Sequence, residues 1–156
     1  MAPGLIALVA ALAVAVVTGL AWQRNNGRIR GIGAATAPRS TPREQAAGGR
    51  AAATGPVLTP AELGLPLGQR ATLVQFSTAF CAPCRATRRI LAEVAGMVDG
   101  VEHVEIDAES HLDLVRRLDI RRTPTVLVVG PDGRIAKRAS GQPRKADVIA
   151  AVGDLS

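Results

Sequence analysis

From Leu5 to Trp22 the chain carries no charged side chain. As a helix, a run of about eighteen residues spans roughly 27 Å, close to a hydrocarbon core of about 30 Å, and predicts one transmembrane helix. Ala7, Ala11, Ala15 and Gly19 recur at every fourth position of it. Such a small-residue ridge lets two helices approach closely, although an alanine-rich run also produces one by chance. The pattern then changes. Residues 25–56 are Gly, Ala, Pro, Thr and Arg with almost no large apolar side chain, too little burial to offset the entropy of folding. A flexible linker spanning roughly 30 Å is the expectation. Apolar periodicity returns after residue 56, so the chain divides into an anchor (1–24), a disordered linker (25–56) and a folded domain (57–156).

Within the domain, Thr59-Pro60-Ala61-Glu62 predicts a helix start. Thr59 caps it, Pro60 fits its first turn, Glu62 reaches back, and Gly64 and Pro66 end it early. Ala71 to Ser77 reads as a buried strand through Leu73, Val74 and Phe76. A helix of about fourteen residues follows, with Ile90, Leu91, Val94 and Val98 turned to the sheet and Arg85, Arg88 and Arg89 on its early turns. Val101 to Asp107 alternates as a strand, and Ser110-His111-Leu112-Asp113 caps a short helix through Leu118. Thr125 to Val129 is a third strand, Pro131-Asp132-Gly133 turns the chain, and Arg134 to Ala139 returns antiparallel. Gly141 breaks that strand, and Lys145 to Val152 forms a last helix with Val148, Ile149 and Val152 inward. The order β-α-β-α-β-β-α predicts an α/β fold, a mixed sheet flanked by helices. Helix crossovers would make its first three strands parallel and the closing hairpin antiparallel.

Composition adds two constraints. Aromatic residues are 2% of the chain, so Val, Leu, Ile and Ala must build the core. A net charge of +6 suggests a nucleic-acid partner until the charges are placed. Before residue 57, Arg24, Arg28, Arg30, Arg39, Arg43 and Arg50 face Glu44 alone; from there on, thirteen basic residues meet twelve acidic ones. The basicity belongs to the tether, and no nucleic-acid role is expected. Met1-Ala2-Pro3-Gly4 lacks the positive side chains of a cleaved signal peptide. The arginines follow the apolar run, with Trp22 as interfacial anchor. By the positive-inside bias the protein is single-pass, its amino terminus outside and its domain cytoplasmic.

The chemistry concentrates in Phe76-Ser77-Thr78-Ala79-Phe80-Cys81-Ala82-Pro83-Cys84-Arg85, where a strand gives way to a helix at the two cysteines of the chain. A first sulfur at a helix start faces unpaired N–H groups and the positive end of the dipole, which favours the thiolate. A second cysteine three residues on can close a disulfide, so the pair exchanges two electrons without a metal or organic cofactor. Pro83 suits the first turn because it needs no N–H partner there. Zinc would require four ligands, and His103 and His111 supply no second close-spaced pair. A static disulfide of so short a loop would constrain the unfolded chain little. A Cu(I)-binding module using the two thiolates is the alternative of another class, weakened because the methionines, Met1 and Met97, stand away from the cysteines.

With the dithiol between first strand and first helix, Thr123-Pro124 before the third strand and Gly141 after the fourth, residues 70–155 resemble the thioredoxin family. The resemblance implies a thioredoxin-like fold and thiol–disulfide oxidoreductase activity. Cys81 would attack a substrate disulfide and Cys84 would resolve the mixed disulfide. Phe80, Ala82, Pro83, Thr123 and Pro124 would meet the substrate, with Pro124 cis and packed against the dithiol. Disulfide-containing proteins are the implied substrates and a thiol reductant or reductase the implied electron donor. A domain outside the cytoplasm would instead serve disulfide exchange or cytochrome and metalloenzyme maturation. Three positions depart from the family pattern. Phe80 stands where the family has tryptophan, Gln75 where it has a buried aspartate, and His103 where it has the lysine paired with that aspartate. Gln75 cannot act as a base, so the proton of Cys84 passes to water, or to His103 where the imidazole reaches the pocket. The plainer reading leaves His103 at an exposed strand position.

Overall fold

The computed structural model describes residues 2–25, 27–31 and 56–155, with side chains on the first helix described from residue 7 to 21. In chain order the elements are α1 (Ala2–Asn25), β1 (Ile29–Gly31), α2 (Pro60–Leu63), β2 (Ala71–Ser77), α3 (Ala82–Met97), β3 (Val101–Asp107), α4 (Leu112–Arg117), β4 (Thr125–Val129), β5 (Ile135–Ser140) and α5 (Lys145–Gly153). The strands form one mixed sheet in the order β1-β5-β4-β2-β3. Each face of β2 is buried because its neighbours carry the same alternation. Val74 and Phe76 pack with Val104, Ile106, Leu127 and Leu63 on one side. Leu73 packs with Val126, Val128, Leu91, Val94 and Val148 under α3 and α5 on the other.

The direction of β4 corrects the expectation of three parallel strands. β2 and β3 are parallel, whereas β2 and β4 are antiparallel. Helix length explains the difference. The sixteen residues of α3 rise about 24 Å, enough to carry the chain back along a seven-residue strand of about 23 Å. The six residues of α4 rise only about 9 Å, so β4 starts from the end of the sheet where β3 finished.

Part of the segment expected to be linker is a strand. Ile29–Gly31 pairs antiparallel with Ala139–Lys137 of β5, and the Gly27 amide donates to the Ser140 carbonyl at 2.9 Å. Large side chains are not needed for this, because backbone groups along a sheet edge are themselves strong partners. Gly27 is buried with φ +79°, and a Cβ there would overlap the Gln142 carbonyl. Residues 32–55 lie outside the described residues. On α1, residues 7–21 cover about 22 Å, and among the described residues no helix is long and apolar enough to cross a membrane.

Two smaller readings also change. Ile149 is 39% exposed, and Ala151 joins Val148 and Val152 in the buried face of α5. α4 starts at His111 without a side-chain cap, because Ser110 Oγ donates to the Asp107 carboxylate instead.

Candidate active site

The site forms where β2 ends. Beyond Ser77 the chain turns, the Cys81 amide donates to the Thr78 carbonyl at 3.3 Å, and Cys81 becomes the N-cap of α3. The Cys84 amide donates to Cys81 Sγ at 3.2 Å. Cys81 Sγ therefore holds the place a serine or aspartate oxygen takes at other helix starts, against one of the free N–H groups and the positive pole of a sixteen-residue helix. The two cysteines are joined as a disulfide with Cα atoms 5.2 Å apart. Cys81 is partly exposed, while Cys84 is 2% exposed. An incoming sulfur can reach Cys81 and is screened from Cys84. Pro83 sits in the first turn, and Phe80 stands fully exposed beside the pair.

A second strand end meets the first. The Thr123–Pro124 peptide bond is cis, and Thr78 Oγ1 and Thr123 Oγ1 share a hydrogen bond at 3.3 Å. The Gly141 amide donates to the Pro124 carbonyl at 2.7 Å, and Thr125 Oγ1 donates to the Arg122 carbonyl at 2.7 Å. Ala79, Phe80, Thr123 and the start of α3 thus form one end of the sheet.

Beneath the dithiol, Gln75 is fully buried. Its Nε2 donates to the Cys84 carbonyl at 2.9 Å, and its Oε1 has no protein partner. Its neighbour across the parallel ladder is Glu105. A cavity of about 480 Å³ is lined by Cys81, Cys84, Arg85, Arg88, Glu105 and Asp107 among others. Arg88 Nη2 donates to Glu105 Oε1 at 2.7 Å, and its Nε lies 2.5 Å from Oε2. Burial works to raise the pKa of Glu105, but its bonds from Arg88 and Ser77 outweigh that and hold it below the usual value.

His103 is absent from the lining of this cavity. It pairs with Leu73 in the ladder, two residues along β2 from Gln75, and its Nε2 is buried without a partner. Burial pushes its pKa down, with the Glu105 carboxylate opposing and Arg88 assisting. The structure therefore joins Gln75 to the dithiol and leaves His103 apart from it.

The thioredoxin family model matches residues 64–154, more than half of the chain. The chain belongs to the thioredoxin family. It is 28% identical to thioredoxin H5 of Oryza sativa subsp. japonica over 46% of this chain and 53% of that one, so it spans about half the length of that relative. It is 30% identical to a thioredoxin of Mycoplasma genitalium over 49% of this chain and 74% of that one. Among solved structures, a chloroplastic thioredoxin z matches with a TM-score of 0.51 at 31% identity, covering 56% of this chain and 79% of that one. The Arg88–Glu105 pair of this thioredoxin-family site is not legible as a motif. Its signal was the alternation of Val101–Asp107, which puts Glu105 on the face that α3 covers.

Proposed function

We propose that this protein is a membrane-tethered thiol–disulfide oxidoreductase that reduces disulfides in protein substrates and is recharged by a thiol reductant or reductase. The observation that carries the reading is the asymmetry of the dithiol: Cys81 partly exposed with its Sγ at the helix cap, Cys84 buried behind it. In the reduced enzyme, the Cys81 thiolate attacks one sulfur of the substrate disulfide, and the departing substrate sulfur takes up a proton. The Cys84 thiolate then attacks Cys81 Sγ, the mixed disulfide breaks, and the second substrate sulfur takes up a proton. Two electrons and two protons pass to the substrate as the Cys81–Cys84 bond forms. In this reading Phe80, Ala82, Pro83, Thr123 and Pro124 contact the substrate chain.

The anchor reading draws on the uncharged run from Leu5 to Trp22, which falls within the helix α1. Leu8, Val9, Leu12, Val14, Val16, Val17 and Leu20 are all at least 53% exposed. A helix that is apolar around its circumference and uncovered by the domain is suited to lipid. The arginines after the apolar run favour a cytoplasmic side for the domain in this reading.

Replacement of each cysteine tests the chemistry. Cys84→Ser is expected to accumulate a mixed disulfide with substrate, and Cys81→Ser to form none and reduce nothing. Trapping by Cys81→Ser alone would overturn the assignment. Protease added to intact cells is expected to leave the domain whole; its digestion would overturn the cytoplasmic placement.

A further inference from the structure

The join between helix and domain is short, and it lies at the dithiol end of the sheet. Asn25 closes α1, and two residues later Gly27 is bonded to Ser140. A link of two residues reaches about 7 Å. The ladder registers fix which end of the sheet receives it. Phe76 pairs with Thr125, Thr125 with Ser140, and Ala139 with Ile29. The start of β1, the end of β5, the start of β4 and the end of β2 therefore share one edge, and Cys81 follows directly from β2. Three strand spacings separate β1 from β2, about 14 Å, and the turn from Ser77 to Cys81 adds roughly 10 Å along the strand direction. Cys81 thus lies within about 25 Å of the carboxyl end of α1.

We infer that the dithiol is held at the bilayer surface, and that its substrates are membrane-anchored proteins presenting a disulfide at that same level. This rests on the reading of α1 as the membrane anchor. A linker of about thirty free residues would have let the domain range and tumble; docking of β1 on β5 removes that freedom. Gly27 is the residue that permits the docking, since any side chain there would collide with the Gln142 carbonyl. Charge at this end agrees with an anionic surface. Arg28, Arg144 and Asp147 line a cavity of about 250 Å³ between β1 and α5, where Asp147 pairs with Arg144 and leaves Arg28 as the added positive charge, and Arg122 bonds the Ser140 carbonyl from the same edge at 2.6 Å. Basic groups placed this close to a cytoplasmic leaflet are attracted to it.

The test uses the full chain in vesicles containing phosphatidylglycerol, with one disulfide peptide offered in three forms. In the first it is lipid-anchored about 15 Å from the bilayer, in the second it stands on a rigid spacer about 60 Å out, and in the third it is soluble. The parent is expected to reduce the near form at least about tenfold faster than the far form, because tethering sets the effective concentration. An insertion of about forty Gly/Ser residues between Asn25 and Gly27 adds roughly 35 Å of mean reach and leaves β1 intact. That variant is expected to abolish the preference while reducing the soluble peptide at the parent's rate. Equal parent rates on near and far forms, with the protein floating with the vesicles, would overturn the placement alone. Failure to float with the vesicles would overturn the anchor and the placement together.

Discussion

Gln75 Nε2 donates to the carbonyl of Cys84 at 2.9 Å from a site with no solvent exposure. The residue beneath Cys84 thus orients the first turn of α3, and its carboxamide cannot serve as a base. Replacing it with aspartate supplies a base and removes the donor. Gln75→Asp is expected to speed resolution of the mixed disulfide near neutral pH and to lower stability by about 1–3 kcal/mol. Burial raises the folded-state pKa of such a carboxyl above its unfolded value. The variant is therefore most stable below the unfolded pKa, near 4, and loses stability as pH rises through the folded one. Stopped-flow resolution rates and urea melts against pH check both parts; no acceleration would show that the missing carboxylate does not limit the step.

His103 is half-buried, outside the dithiol cavity, with a pKa pushed down chiefly by burial. His103→Ala is expected to leave the pH profile of mixed-disulfide resolution unchanged. Its effect belongs to folding. A depressed folded-state pKa means that protonation favours the unfolded chain, so the parent loses stability as pH falls below about 6.5, and the variant lacks this component. Paired urea melts at pH 7.5 and 5 measure it.

The two phenylalanines of the chain test packing and the proposed substrate contact separately. Phe76 is 0% exposed and Phe80 is 100% exposed. Phe76→Ala is expected to cost about 3–5 kcal/mol through lost burial and a residual cavity. Phe80→Ala is expected to change stability by less than about 0.5 kcal/mol and to raise KM for protein disulfides, with little change for a small-molecule disulfide. Melting curves and the two assays side by side distinguish these outcomes.

Gly27→Val is expected to release β1 from β5, because the valine side chain has no room at a positive φ against Gln142. Exchange of the β1 amide that bonds β5 should rise to the rate of open chain, while amides of β2 and β4 keep their protection. Retained protection in β1 would show that the pairing survives without the glycine.

How much was legible differs from element to element, and the reason is range. The dithiol at a helix start, the capping box of Thr59 and Glu62 and the turn at Gly133 are set by residues within a few positions of one another, so the sequence alone determined them. The same holds for the alternation that makes β2 and β3 strands. The direction of β4 was decided by the length of α4 against the length of the sheet, which no local pattern expresses. Nothing in Ile29-Arg30-Gly31 marks a strand, because the pairing is supplied by the open edge of β5, more than a hundred residues away. The placement of Glu105 beside the cysteines and of His103 away from them likewise depended on ladder register. Glu105 and His103 share a face of β3 two residues apart, roughly 6.6 Å, and only the assembled sheet sets which of them lines the cavity.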